Sequence, residues 1–329
     1  MTVSQLVSGI LASTVIFSVP LMLVALGGMF SERSGTINIA LEGIMIIGAL
    51  SSCLFLNKTN ITASHPLLGM SVAILIAAAA GGLFSLLLGF AAINLRADQT
   101  IGGTALNILA PALAIQLTWL IQGQGQTVIN IKNVRITQAM LGLTASENPG
   151  FFENLIFKYL YLTTPVAIVL LIVSIIVLYK TRFGLRLRAC GEHPQAADSV
   201  GINVYKMRYA GVVISGVLGG IGGLAFTVAA GSGFQSSVAG YGFLALSVMI
   251  FGNWKPVNIM LASLFFALFK VIGGYKDYIP FLPKFSNITA SENIYSMLPY
   301  ILTMVVLIFT SRRSRAPKAE GIPYDKGAR

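Results

Sequence analysis

Nine apolar runs follow one another along this chain, near residues 6–29, 37–56, 67–95, 101–120, 160–179, 209–230, 240–251, 257–272 and 297–310. Eight are read as crossing about 30 Å of hydrocarbon as helices, and the run near 240–251 is shorter. With 55% of its 329 residues hydrophobic and only 10% charged, the chain departs far from a soluble domain, in which roughly a quarter of residues are charged. The fold class that follows is all-α, a polytopic transmembrane bundle.

The net charge of +11 is concentrated in two places, the 180–208 loop and the stretch after Thr310. In the loop, Lys180, Arg182, Arg186, Arg188, Lys206 and Arg208 stand against Glu192 and Asp198, which places it on the cytoplasmic side by the positive-inside bias. Such juxtamembrane placement explains the charge better than nucleic acid does. The four apolar runs between loop and tail return the chain to the same side. Residues 1–311 are therefore read as the transmembrane domain and 312–329 as a basic cytoplasmic tail. Counting back through nine runs puts the N-terminus outside. The first run is too long and too weakly flanked by positive charge for a cleaved signal peptide.

Within the loop, Pro194 suits the first turn of a helix and Gly201 the position after its end, giving a helix of about two turns. Ala196, Ala197 and Val200 lend it a small apolar face of the kind that docks in a partner's groove. The alternative is a solvated loop with an incidental helix. The longest outside loop, about 121–159, contains the alternating piece TVINIKNVRI, which reads as a strand or an ordered lid.

Two stripes of small residues predict close helix packing: Gly69, Ala73, Ala77, Gly81, Ser85 and Gly89 at every fourth position, and Gly216, Gly219, Gly220, Gly222 and Gly223. Gly220, Gly222 and Ala225 also match a dinucleotide fingerprint, a chance match without a preceding strand.

Charged and polar groups in apolar runs carry a functional reading by default, because burying them in lipid is costly. In SERSGTINIALEG, residues 31–43, Asn38 and Glu42 are four apart, so a helix there turns both toward a polar solute path. The alternative is an interfacial turn at Glu32 and Arg33 with Glu42 paired to a residue such as Lys270. Gly35 permits a break in that helix, as broken helices line cavities. Asn107 is a second pathway candidate, or an interhelical hydrogen bond. Between residues 229 and 256 the glycines argue against an unbroken span. Phe234, Tyr241 and Phe243 offer faces for a ring, or simple packing.

Cys53 and Cys190 are not expected to meet, and His65 and His193 lack the spacing of a metal site. No phosphate loop or hydrolytic constellation occurs, so this chain is expected to carry neither catalysis nor a cofactor of its own.

Four segments, FSERSGTINIALEGIMIIGA, DQTIGGTALNILA, LRACGEHPQAADSVGINV and GYGFLALSVMIFGNWKP, resemble the membrane permeases of bacterial ABC importers for ribose, branched-chain amino acids and nucleosides. Together they are most similar to the shorter permease of nucleoside importers. The resemblance spans roughly residues 20–275. It implies about ten spans with a broken central helix, against the nine counted, and ten would place the N-terminus inside. It also implies a second related permease, a cytoplasmic ATPase with two nucleotide-binding halves and a solute-binding lipoprotein at the bacterial cell membrane. By that similarity Gly191 through Gly201 corresponds to the coupling helix. Arg188, Gly191, Glu192, His193, Pro194, Ala197 and Gly201 are then the ATPase-coupling residues, and Asn38 and Glu42 belong to the translocation path. Pentoses and branched-chain amino acids remain alternative solutes. A secondary transporter is disfavoured by the lack of internal duplication, and a membrane enzyme by the sparseness of reactive residues.

Overall fold

The computed structural model describes residues 3–59, 61, 65–131, 161–275, 278, 297, 301, 304–305 and 316–326. Among them are ten α-helices: α1 (Val3–Arg33), α2 (Leu41–Thr59), α3 (Pro66–Gly89), α4 (Gln99–Gln122), α5 (Thr163–Lys180), α6 (Arg182–Glu192), α7 (Pro194–Ser199), α8 (Val204–Ala230), α9 (Tyr241–Phe251) and α10 (Pro256–Gly274). A single π turn, Phe90–Asn94, continues α3. Among the described residues seven helices are long and apolar enough to cross a membrane, and α9 is a shorter apolar helix. Most of the run at 297–310 and most of the 121–159 loop lie outside the described residues. Of TVINIKNVRI, the described part contributes one antiparallel bridge, Ile129 to Phe234.

Local chemistry sets the helix ends. The Asp98 carboxylate accepts from the backbone N–H groups of Thr100 and Ile101, capping α4 at 2.8 and 3.0 Å. Thr181 caps α6 and Asn203 caps α8 in the same way. Pro194 opens α7, and Gly201 follows it at φ +82°, as expected from the loop sequence.

The core is α8, packed against α1, α2 and α3. Both small-residue stripes meet there. A Cβ added at Gly220 would stand 2.1 Å from the Ala77 carbonyl oxygen, and one at Gly81 would stand 2.3 Å from that of Gly216. Backbones this close gain dispersion contacts along the whole length of two helices, which is the main attraction available between apolar helices in lipid. By contrast α4, α5 and α10 remain largely exposed.

The chain alternates between two ends of the bundle. Tyr275, just after α10, lies beside Gly9 and Ser13 of α1, while Arg33 at the other end of α1 donates to the Trp254 carbonyl. The start of α1 and the 180–208 loop therefore sit at opposite ends, as the nine-run count requires and the ten-span implication does not. Loop and tail share one end: Ala319 N–H donates to the Gly191 carbonyl at 2.9 Å, and Arg208 Nη1 donates to the Ile322 carbonyl at 2.9 Å.

Candidate translocation and coupling site

Two non-helical segments interrupt the bundle, residues 34–40 between α1 and α2 and residues 231–240 between α8 and α9. Both lead into a helix that starts inside the bundle, and the two starts meet at Glu42. Its Oε1 accepts from the Gly240 N–H at 2.9 Å and its Oε2 from the Gly242 N–H at 2.7 Å. The carboxylate thus sits at the positive end of the α9 dipole and satisfies N–H groups that have no partner within the helix. Gly242 is the residue that lets this happen, since a Cβ there would lie 2.4 Å from the Glu42 backbone. Lys270, considered as a partner for Glu42, instead places its Nζ 6.0 Å from the centre of the Tyr241 ring.

Asn38 does not share a helical face with Glu42, because α2 begins only at Leu41 and Asn38 lies in the break before it. Its Nδ2 donates to Ser215 Oγ on α8 at 2.8 Å, and its buried Oδ1 has no partner among the described residues. Asn107 staples the break from α4: Oδ1 accepts from the Gly43 N–H and Nδ2 donates to the Ile39 carbonyl, both at 2.8 Å. Gln99 adds a third clamp, its Oε1 accepting from the Ile37 N–H at 2.7 Å. Buried non-helical backbone has no water to bond, so these side-chain amides are what make the break tolerable.

The three aromatic candidates separate. Phe234 and Tyr241 are each 1% exposed, the latter with its ring 4.5 Å from that of Phe226, whereas Phe243 is 45% exposed. Only Phe243 presents an open face.

At the loop end, Gly191 lies against the end of α1, where a Cβ would stand 2.3 Å from the Arg33 carbonyl oxygen. Arg188 lies over the Tyr179 ring at 5.4 Å, and Glu192 ends α6. His193 precedes Pro194 and is exposed. Ala197, expected on the face offered to a partner, is turned inward, 3% exposed, and clusters with Cys190, Val204 and Tyr324 of the tail. Periodicity identifies an apolar face without saying what covers it, and here the chain's own tail does. The outward side of α7 is formed by Gln195, Ala196, Ser199 and Val200, the last 75% exposed.

Several contributors were invisible to sequence reasoning. Trp254 Nε1 donates to the Glu32 carboxylate at 2.5 Å, joining the end of α1 to the α9–α10 turn. In the tail, Tyr324 meets the Tyr205 ring at 5.3 Å, and Asp325 pairs with Arg96 at 2.9 Å. The apolar residues Ala319, Ile322 and Tyr324, interspersed in a basic segment, were the available signal that it docks.

Removing the Tyr324 ring is expected to expose the cluster beneath it. Cys190 is 0% exposed, and burial pushes its thiol up to about 11, so it should resist maleimide at pH 7.5 in the intact protein. Tyr324→Ala should speed labelling of Cys190 by roughly tenfold as the thiol gains access to solvent. Cys53, 0% exposed and distant in the fold, serves as the internal control. Unchanged labelling would show that the tail does not cover α7.

Two stapled breaks thus interrupt the bundle at its centre, and a short helix, α7, lies at one end of it. The chain belongs to the branched-chain amino acid transport system / permease component family, whose model matches residues 10–307. It is 43% identical to the guanosine ABC transporter permease protein NupQ of Bacillus subtilis (strain 168), across 100% of both chains. It is 42% identical to the nucleoside ABC transporter permease protein NupC of Lactococcus lactis subsp. cremoris (strain MG1363), across 96% of each. NupB, a nucleoside ABC transporter permease protein of that same organism, is a more distant relative at 25% identity, covering 94% of this chain and 83% of its own. No solved structure gives a significant match.

Proposed function

We propose that this chain is a permease subunit of an ATP-driven nucleoside importer, forming half of the translocation pathway. The observation that carries the reading is full-length identity of 43% to a guanosine permease. The existence of two related permeases in one organism, NupC and NupB, both similar to this chain, supports pairing with a second permease. A cytoplasmic ATPase with two nucleotide-binding halves and a solute-binding lipoprotein complete the assembly.

The loop and tail, on one end and rich in Lys and Arg, are assigned to the cytoplasm. In this reading the outward side of α7 contacts the ATPase. Movement there reaches the break at 34–40 by a short route: α7 packs on the start of α8, Arg208 near that start lies against Gly35, and Ser215 one helical stretch further holds Asn38. The solute path runs past Asn38, Glu42, Asn107, Phe234, Tyr241 and Phe243, with the buried members reached only when the two breaks part.

Competition tests the solute class. In vesicles carrying the whole assembly, excess unlabelled guanosine, adenosine or uridine should suppress uptake of labelled nucleoside, while ribose and leucine should leave it unchanged. Suppression by ribose alone would move the assignment to a sugar permease of the same fold.

A further inference from the structure

At the loop end, the last turn of α1, the end of α5, α6, the α9–α10 turn and the tail surround a cleft of about 510 Å³. Four cations line it, Arg33, Arg188, Lys255 and Lys318, against one carboxylate, Glu192. None of the four forms an ion pair among the described residues, where the pair found, Arg96 with Asp325, lies elsewhere. Arg33 donates through Nη2 to the Trp254 carbonyl at 3.1 Å, and its buried Nε has no partner among the described residues. Glu192 and Glu320 act on Arg33 through space without closing an ion pair with it among the described residues. A cleft with such an excess of positive charge and low-dielectric walls concentrates the opposite charge, so its natural occupant is an anion.

What flanks the cleft narrows the choice. Ile168, Val169, Ile172, Val173 and Ile176 are 45–58% exposed and form one face of α5, which leads to Tyr179 in the cleft wall. On the other side, Lys255 is followed at once by α10, whose Val257 and Leu261 are 49% and 57% exposed. An anionic head between two membrane-facing apolar surfaces describes a phospholipid better than a free anion or a peptide. We infer that the cleft binds the phosphate headgroup of an anionic phospholipid, its acyl chains lying along α5 and α10. The inference rests on the membrane-spanning fold and is independent of which solute is carried.

Native mass spectrometry of the full chain and of its assembled complex tests this, both released from vesicles holding equal phosphatidylglycerol and phosphatidylcholine. Phosphatidylglycerol should be retained preferentially. Lys255→Gln combined with Lys318→Gln, both at exposed positions, should weaken that preference by roughly tenfold, since each juxtamembrane cation attracts anionic lipid. Arg186→Gln combined with Lys206→Gln removes the same charge from exposed positions outside the cleft and should leave the preference intact. Equal retention of the two lipids would overturn the proposal, as would an equal loss in the control pair. Complete displacement by millimolar inorganic phosphate would make it a free-anion site, and displacement on assembly with the ATPase would make it a protein contact.

Discussion

Glu42→Gln, introduced into the assembled transporter, is expected to lower complex yield and uptake together, by roughly tenfold or more. The carboxylate holds two backbone N–H groups at the start of α9, and each hydrogen bond to a charged group contributes about 1.5–3 kcal/mol. An amide offers one acceptor oxygen in place of two. Its NH₂ would face an N–H donor at 2.7–2.9 Å, leaving that donor unbonded in the bundle interior. The charge that favours the α9 dipole disappears as well. Loss on this scale, about 3 kcal/mol, removes much of the stability of an ordinary domain. Yield is read by affinity purification of the complex and uptake in the same membranes. Normal yield with an altered transport rate would instead place Glu42 in direct contact with solute.

Gly220→Val should abolish accumulation of the protein in the membrane. Its Cβ would lie 2.1 Å from the Ala77 carbonyl oxygen and 3.1 Å from the Gly81 Cα, both main-chain atoms that cannot turn aside. Separating α8 from α3 to relieve the clash would forfeit contacts along both small-residue stripes, a larger loss than the usual 1–3 kcal/mol of a core overpacking. Gly274→Val makes the matched comparison, because a Cβ there meets nothing within 4 Å. That variant should accumulate normally, as measured by quantitative immunoblot of membranes. Equal accumulation of both variants would sink the packing account.

The two stripes were legible because the spacing of small residues along a helix is a local property, and the stripe on α3 packs against the one on α8. The break after Gly35 was legible for a similar reason. What Glu42 touches was not, since Gly240 and Gly242 lie about 200 residues away and no local pattern encodes that encounter. Reading Asn38 and Glu42 as one helical face assumed that α2 starts before Asn38. It starts at Leu41, where amides from α4, Gln99 and Asn107, bond the backbone within the break and just after it. Ala197 illustrates the complementary limit: its apolar periodicity was correct, and its cover came from Tyr324, 127 residues on, in a segment whose basic character drew attention away from its buried residues.

The docked tail also bears on the order of events during biosynthesis. Residues 316–326 are translated after every membrane-crossing helix described here, yet they supply Tyr324 to the cluster beneath α7 and Ala319 to the Gly191 carbonyl. The surface around α7 is therefore incomplete on any nascent chain still short of residue 324. A chain that stopped before residue 324 would leave Cys190 and Ala197 without the ring that covers them.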